Sequence, residues 1–216
     1  MQAHFTRAGG IKPSQFREKM PIWALVAVLA ALGCATTMPA RAQAVADNAS
    51  AAIGTGSAAL PGELRAELPT GRLSGTAKLT FWGLDIYNAS LWVTPAFEAS
   101  RYAQHPFALQ LTYLRSLDGA AIAKRSIDEM LRQTKFTAQQ AQAWQAAMAA
   151  IFPDVKSGDR ITGIHKPGAG ASFLVNGKPK GDILDPEFAR LFFGIWLSDA
   201  TSEPAMRKAL LTQAPA

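Results

Sequence analysis

The stretch Phe107-Ala-Leu-Gln-Leu-Thr-Tyr-Leu-Arg115 decides the class of fold. Alternation puts Phe107, Leu109, Leu111, Tyr113 and Arg115 on one side and Ala108, Gln110, Thr112 and Leu114 on the other, the period-two pattern of a strand. Upstream, 73–93 reads as two more strands joined around Gly83, with alternation in Lys78-Leu-Thr-Phe81 and Leu84-Asp-Ile-Tyr87. Pro95 stops the second of them. Downstream the period changes to that of a helix. Asp118 can cap a helix running to about Gln133, with Ile122, Ser126, Ile127, Met130 and Leu131 on one side. Thr137 can cap a second, 138–152, in which Trp144, Met148, Ile151 and Phe152 share a face and which Pro153 ends. The two read as a helical hairpin.

Strands then return at 160–165, followed by the turn Pro167-Gly-Ala-Gly170. Segments 171–175 and 178–183 flank Asn176-Gly177, a dipeptide suited to the two positive-φ sites of a tight hairpin. Asp185, with Pro186 as first helical residue, opens a third helix with an apolar face of Phe188, Leu191, Phe192, Ile195 and Trp196. Ser202, with Pro204, opens a last helix containing Met206, Leu210 and Leu211. Three strands, two helices, three strands and two helices predict an α+β fold, a large antiparallel β-sheet covered by a layer of α-helices.

The 216 residues carry 22 Lys+Arg against 16 Asp+Glu, a formal +6. Much of that charge sits at the N-terminus. Arg7, Lys12, Arg17 and Lys19 precede the uncharged run Ile22-Trp-Ala-Leu-Val-Ala-Val-Leu-Ala-Ala-Leu-Gly33, and Ala40-Arg-Ala42 and Ala42-Gln-Ala44 supply small-residue cleavage sites. Residues 1–44 therefore read as a secretory signal peptide cut near Ala42 or Ala44, with a periplasmic destination. The apolar run is short of the roughly 20 residues a membrane span needs. Cys34 follows Ala31-Leu-Gly33 in the manner of a lipoprotein site, but the Leu expected three residues ahead is missing. Cleavage leaves a near-neutral chain without its only cysteine, large enough to fold on a hydrophobic core alone. Residues 45–62, rich in Ala, Gly and Ser, read as a flexible lead-in, and 63–213 as a single domain.

The ordered set Phe81-Trp-Gly-Leu-Asp-Ile-Tyr-Asn-Ala-Ser-Leu-Trp-Val93, Leu111-Thr-Tyr-Leu-Arg115, Ile151-Phe-Pro-Asp-Val-Lys-Ser-Gly-Asp159, Phe173-Leu-Val-Asn-Gly-Lys178, Asp185-Pro-Glu-Phe-Ala-Arg-Leu-Phe-Phe-Gly-Ile-Trp-Leu-Ser198 and Pro204-Ala-Met-Arg-Lys-Ala-Leu-Leu211 resembles the bacterial chalcone isomerase-like family of exported proteins. The resemblance covers roughly 68–211. It implies the chalcone isomerase fold, with a cleft between sheet and helices. Plant members of that fold close a flavonoid ring; others bind fatty acids and catalyse nothing known. The plant enzyme's polar positions fall here at Trp82, Ile122, Glu129 and Leu191, and its strand arginine lies nearest Arg72, out of register. Without donors to polarise the ketone and stabilise the phenolate, ring closure gains little.

The remaining chemistry is sparse. His105 and His165 stand in no metal spacing and read as surface or strand-edge residues. Gly158 and Gly168-Ala-Gly170 read as turns, not phosphate loops, and no cofactor motif is visible. Basic residues mixed with acids argue against nucleic acid. Arg115, at the end of an apolar strand face, is the candidate clamp for a carboxylate, with the hydroxyls of Tyr113 and Tyr87 and the indole of Trp196 around it. Lys124 and Arg125 read as a solvated helix face. The expected function is non-catalytic binding of a small apolar or amphipathic molecule such as a fatty acid. The alternatives are an isomerase or lyase acting on a chalcone-like phenol, and a periplasmic protein-interaction module using 138–152 or the tail helix.

Overall fold

Six strands lie side by side in chain order: β1 Arg72–Phe81, β2 Leu84–Val93, β3 Phe107–Tyr113, β4 Arg160–Lys166, β5 Gly170–Val175 and β6 Lys178–Ile183. Every neighbouring pair is antiparallel. The computed structural model describes residues 58–213, so the expected signal peptide, 1–44, and residues 45–57 of the expected lead-in lie outside the described residues. Helices α1 Gly119–Met130 and α2 Ala138–Ile151 are inserted between β3 and β4, and α3 Pro186–Leu197 and α4 Pro204–Leu210 follow β6. The expected order and layering hold. A short 3-10 segment, Ala99–Gln104, joins β2 to β3.

The helix-facing side of the sheet is set by register. Leu91, Leu109, Gly163, Phe173 and Gly181 stand in line across five strands, and Leu79, Tyr87 and Tyr113 make a second line across β1 to β3. Gly163 is a place where only hydrogen fits without a neighbour giving way, because a Cβ there would come within 3.0 Å of the Phe193 ring. The space between sheet and α3 is filled with rings. Phe107, Phe152, Phe173, Phe188, Phe192, Phe193 and Trp196 pack at centroid separations of 4.9 to 5.5 Å.

The opposite face carries a smaller apolar cluster. Trp92, Ala108, Ile164 and Leu174 are covered by Leu64 and Leu68, with Leu60 and Leu73 packed against them. The covering chain is a 3-10 turn, Gly62–Leu64, and the residues after it. Leu60 thus belongs to the packed domain, although composition assigns it to the lead-in.

Helix ends follow their caps. The Asp118 carboxylate accepts from the Ala121 N–H, and Thr137 with Gln140 forms a complete capping box. One Asp185 oxygen accepts from the N–H groups of Glu187 and Phe188, while the other accepts from Trp144 Nε1 at 2.8 Å. Two boundaries depart from expectation. Helix α1 stops at Met130, and 131–133 are a turn that leaves Leu131 45% exposed. The cap of α4 is Glu203, not Ser202, and makes no side-chain bond there; Thr201 Oγ1 instead accepts from the Glu203 N–H. Finally, Leu117 and Val155 exchange backbone hydrogen bonds of 3.0 and 2.9 Å, so the helical hairpin leaves and rejoins the domain at one narrow neck.

Candidate functional site

Strand β3 ends at Tyr113, two residues before the alternation in the sequence does. Tyr113 N–H donates to the Asp159 carbonyl and its own carbonyl accepts from the Gly158 N–H, while Leu114 N–H donates to the Ile86 carbonyl. The chain then bends at Leu114 and Arg115, so Arg115 lies beyond the end of the strand. Arg115 is partly exposed and makes no ion pair or hydrogen bond among the described residues. Asp118, three residues on, has its carboxylate on the N-terminus of α1.

The two tyrosines do meet. Tyr87 and Tyr113 are register partners with their rings edge to face at 6.0 Å. Trp196 Nε1 donates to the Tyr87 hydroxyl at 3.0 Å, which ties α3 to the sheet through side chains. Burial raises the Tyr87 phenol well above its ordinary range, against the opposing effect of the Trp196 bond. Burial raises Tyr113 as well, with Tyr87 adding to the shift. Both are therefore neutral hydroxyls at any physiological pH. Tyr113 is 2% exposed, yet its hydroxyl makes no hydrogen bond among the described residues.

Charged groups complete the cluster. Arg125 donates to Glu129 one turn further along α1, and Arg132 approaches the other Glu129 oxygen at 3.5 Å. Glu129 is 5% exposed, so its charge is held inside the protein by these guanidiniums. Arg125, Glu129 and Glu203 all act electrostatically on Tyr87. Burial and the Glu129 charge raise Glu203 above the usual carboxylate range, and Arg125 opposes them.

Arg125 is thus half-buried and part of the site, where the sequence suggested a solvated face. The signal was present: Ile122, Arg125 and Glu129 are spaced i, i+3 and i+7, the stripe that faces a core. Helix periodicity counts apolar residues and gives no weight to two charged members of the stripe. His165 also corrects the reading. It is 2% exposed, stacked on Phe107 at 4.8 Å, with Nδ1 2.8 Å from the His105 carbonyl oxygen. Burial lowers its pKa. Of the mapped plant positions, only Glu129 lies in the cluster; Trp82 is at an exposed turn. An open recess of about 420 Å³ lies on the other sheet face, lined by Thr76, Ala77, Lys78, Asn88 and Ser90.

An open antiparallel sheet, a helical layer and a polar cluster at one end of an aromatic interior define a sheet-and-helix protein of the chalcone isomerase fold. The chain belongs to the chalcone isomerase-like family, whose sequence pattern it matches over residues 55–212. Among solved structures it is similar to a fatty-acid binding protein of Arabidopsis thaliana, at TM-score 0.52 and 13% identity, over 66% of this chain and 87% of that one. At that identity the likeness is one of fold. No curated protein matches the chain in sequence.

Proposed function

We propose that this protein binds a small amphipathic molecule, a fatty acid or close relative, without transforming it, and does so in the periplasm after export. The hydroxyl of Tyr113 carries the reading: it sits on a side chain only 2% exposed, makes no hydrogen bond among the described residues, and lies beside neutral Tyr87 and within the field of Arg125. A ligand carboxyl accepting from Tyr113 would satisfy that group, and Arg125 supplies the counter-charge. The acyl chain would lie along the ring-lined interval under α3, with Phe192 and Trp196 changing rotamer to admit it. Family membership and the fatty-acid binding neighbour support the ligand class. The basic segment, apolar run and Ala-x-Ala sites support export.

Native mass spectrometry of gently purified protein tests this reading. Bound fatty acid is expected, with Tyr113→Phe weakening affinity by about tenfold, the worth of one buried hydrogen bond. Protein that is empty and shows no affinity for fatty acids would overturn it. A rate with chalcones above the buffer reaction would favour an isomerase instead.

A further inference from the structure

The molecule contains two hairpin turns of the same geometry. Asn176-Gly177 has φ of 51° and 78°; Trp82-Gly83 has 49° and 75°. Both φ values must be positive in such a turn, and Asn followed by Gly is the favoured pair. The first hairpin uses it. The second places tryptophan at the position where a bulky side chain is most disfavoured. Trp82 is 79% exposed, Leu84 is 46% exposed, and a Cβ added at Gly83 would meet nothing within 4 Å. Among the described residues the Trp82 ring stacks on its neighbour Phe81, at 5.7 Å. Strain and solvent-exposed apolar surface coincide at one residue, the pattern of a site kept for a purpose other than folding.

The surroundings indicate what the tip meets. It is narrow: two exposed apolar side chains and part of a third fall well short of the roughly 800 Å² a protein partner usually covers. Tryptophan favours the boundary between lipid and water, where its ring is embedded and its N–H stays wet. Behind the tip the surface turns polar, with Thr80 and Lys78 both bonded to Asp85. Arg115 lies at this same end of the sheet, since Leu114 is bonded to Ile86, and it has no ion pair among the described residues. A cation at the same end of the sheet as a projecting indole complements lipid phosphate. Tyr87 lies five residues along β2 from the tip, about 15 Å at strand spacing.

We propose that the Trp82 turn is a membrane-interface anchor that seats in the headgroup layer of a bilayer, with Arg115 against phosphate. The insertion stands independently of the ligand; its use in collecting ligand from the membrane rests on the function proposed above. The test compares the full chain with Trp82→Asn, which installs the residue used in the other turn. The variant should raise the thermal midpoint by about 2–4 °C through relief of strain. It should lower affinity for mixed phosphatidylcholine and phosphatidylglycerol vesicles by about tenfold or more. Brominated phosphatidylcholine should quench the fluorescence component that the variant lacks. Arg115→Gln should weaken binding to the mixed vesicles more than to pure phosphatidylcholine. Fatty-acid affinity measured without vesicles should be the same in Trp82→Asn and the parent, which separates failure here from failure of the binding reading. Unchanged vesicle affinity with no quenching would overturn the proposal. So would a lowered thermal midpoint, or loss of a self-associated species in place of vesicle binding.

Discussion

Single residues in this protein are governed by what burial does to polar groups. His165, enclosed by Phe107, Phe193 and the His105 carbonyl, has its pKa lowered by burial. In the unfolded chain a histidine titrates near about 6.5, so the folded protein binds fewer protons just below that value. The contribution to stability is complete above that pH and is lost as pH falls. His165→Phe should therefore flatten the fall in urea midpoint between about pH 7 and about pH 5; parallel profiles for variant and parent would count against this. Glu203, with a raised pKa, works in the opposite sense: its contribution is held below the unfolded value and lost as pH rises through the folded one. The site was partly legible at this scale. Tyr113, Tyr87 and Trp196 do converge, because apolar alternation and helix spacing locate large side chains well. The alternation overruns the strand by two residues, to Arg115, because the loop at Gly158 and Asp159 takes over the backbone bonds of Tyr113, an event encoded more than 40 residues away.

Elements were more legible than sites, since caps and turns are local. Asp118, Thr137, Asp185 and Asn176-Gly177 stand where their chemistry requires. Asp185 does more than cap. It also holds the indole N–H of Trp144, whose side chain is 4% exposed on α2, and so fastens the helical hairpin to α3. Asp185→Ala should cost about 2–4 kcal/mol, a cap plus a stranded donor. Thr137→Ala should cost about 1 kcal/mol, a cap alone. Chemical denaturation of the two variants checks the difference, and equal losses would mean that the Trp144 bond contributes nothing. What local chemistry could not supply was the depth of α1. Arg125 and Glu129 read as a surface pair by composition, and only the packing of α1 against α3 makes them interior, close enough to act on Tyr87.

At the scale of the whole molecule the two faces of the sheet are unequal. One lies under the aromatic layer and α3; the other is shielded at one end by residues 60–68. Leu64 and Leu68 are fully buried there, so Leu64→Ala should destabilise the protein by about 2–4 kcal/mol, a value that equilibrium unfolding reads directly. A loss below about 1 kcal/mol would show the segment to be dispensable. The overall architecture was foreseeable because strands joined by short turns pair with their neighbours, whereas a cover drawn from an Ala/Gly-rich region gave no periodic signal. The neck at Leu117 and Val155 has a consequence of a different kind. A stretch of chain that departs and returns at one point can be exchanged without re-registering a single strand. The helical hairpin is therefore a cassette: its length, charge and inner surface can diverge in descent, or be replaced by design, while the sheet keeps its pairing. Changes in the hairpin and the register of the sheet are thereby placed on separate parts of the chain, free to evolve at different rates.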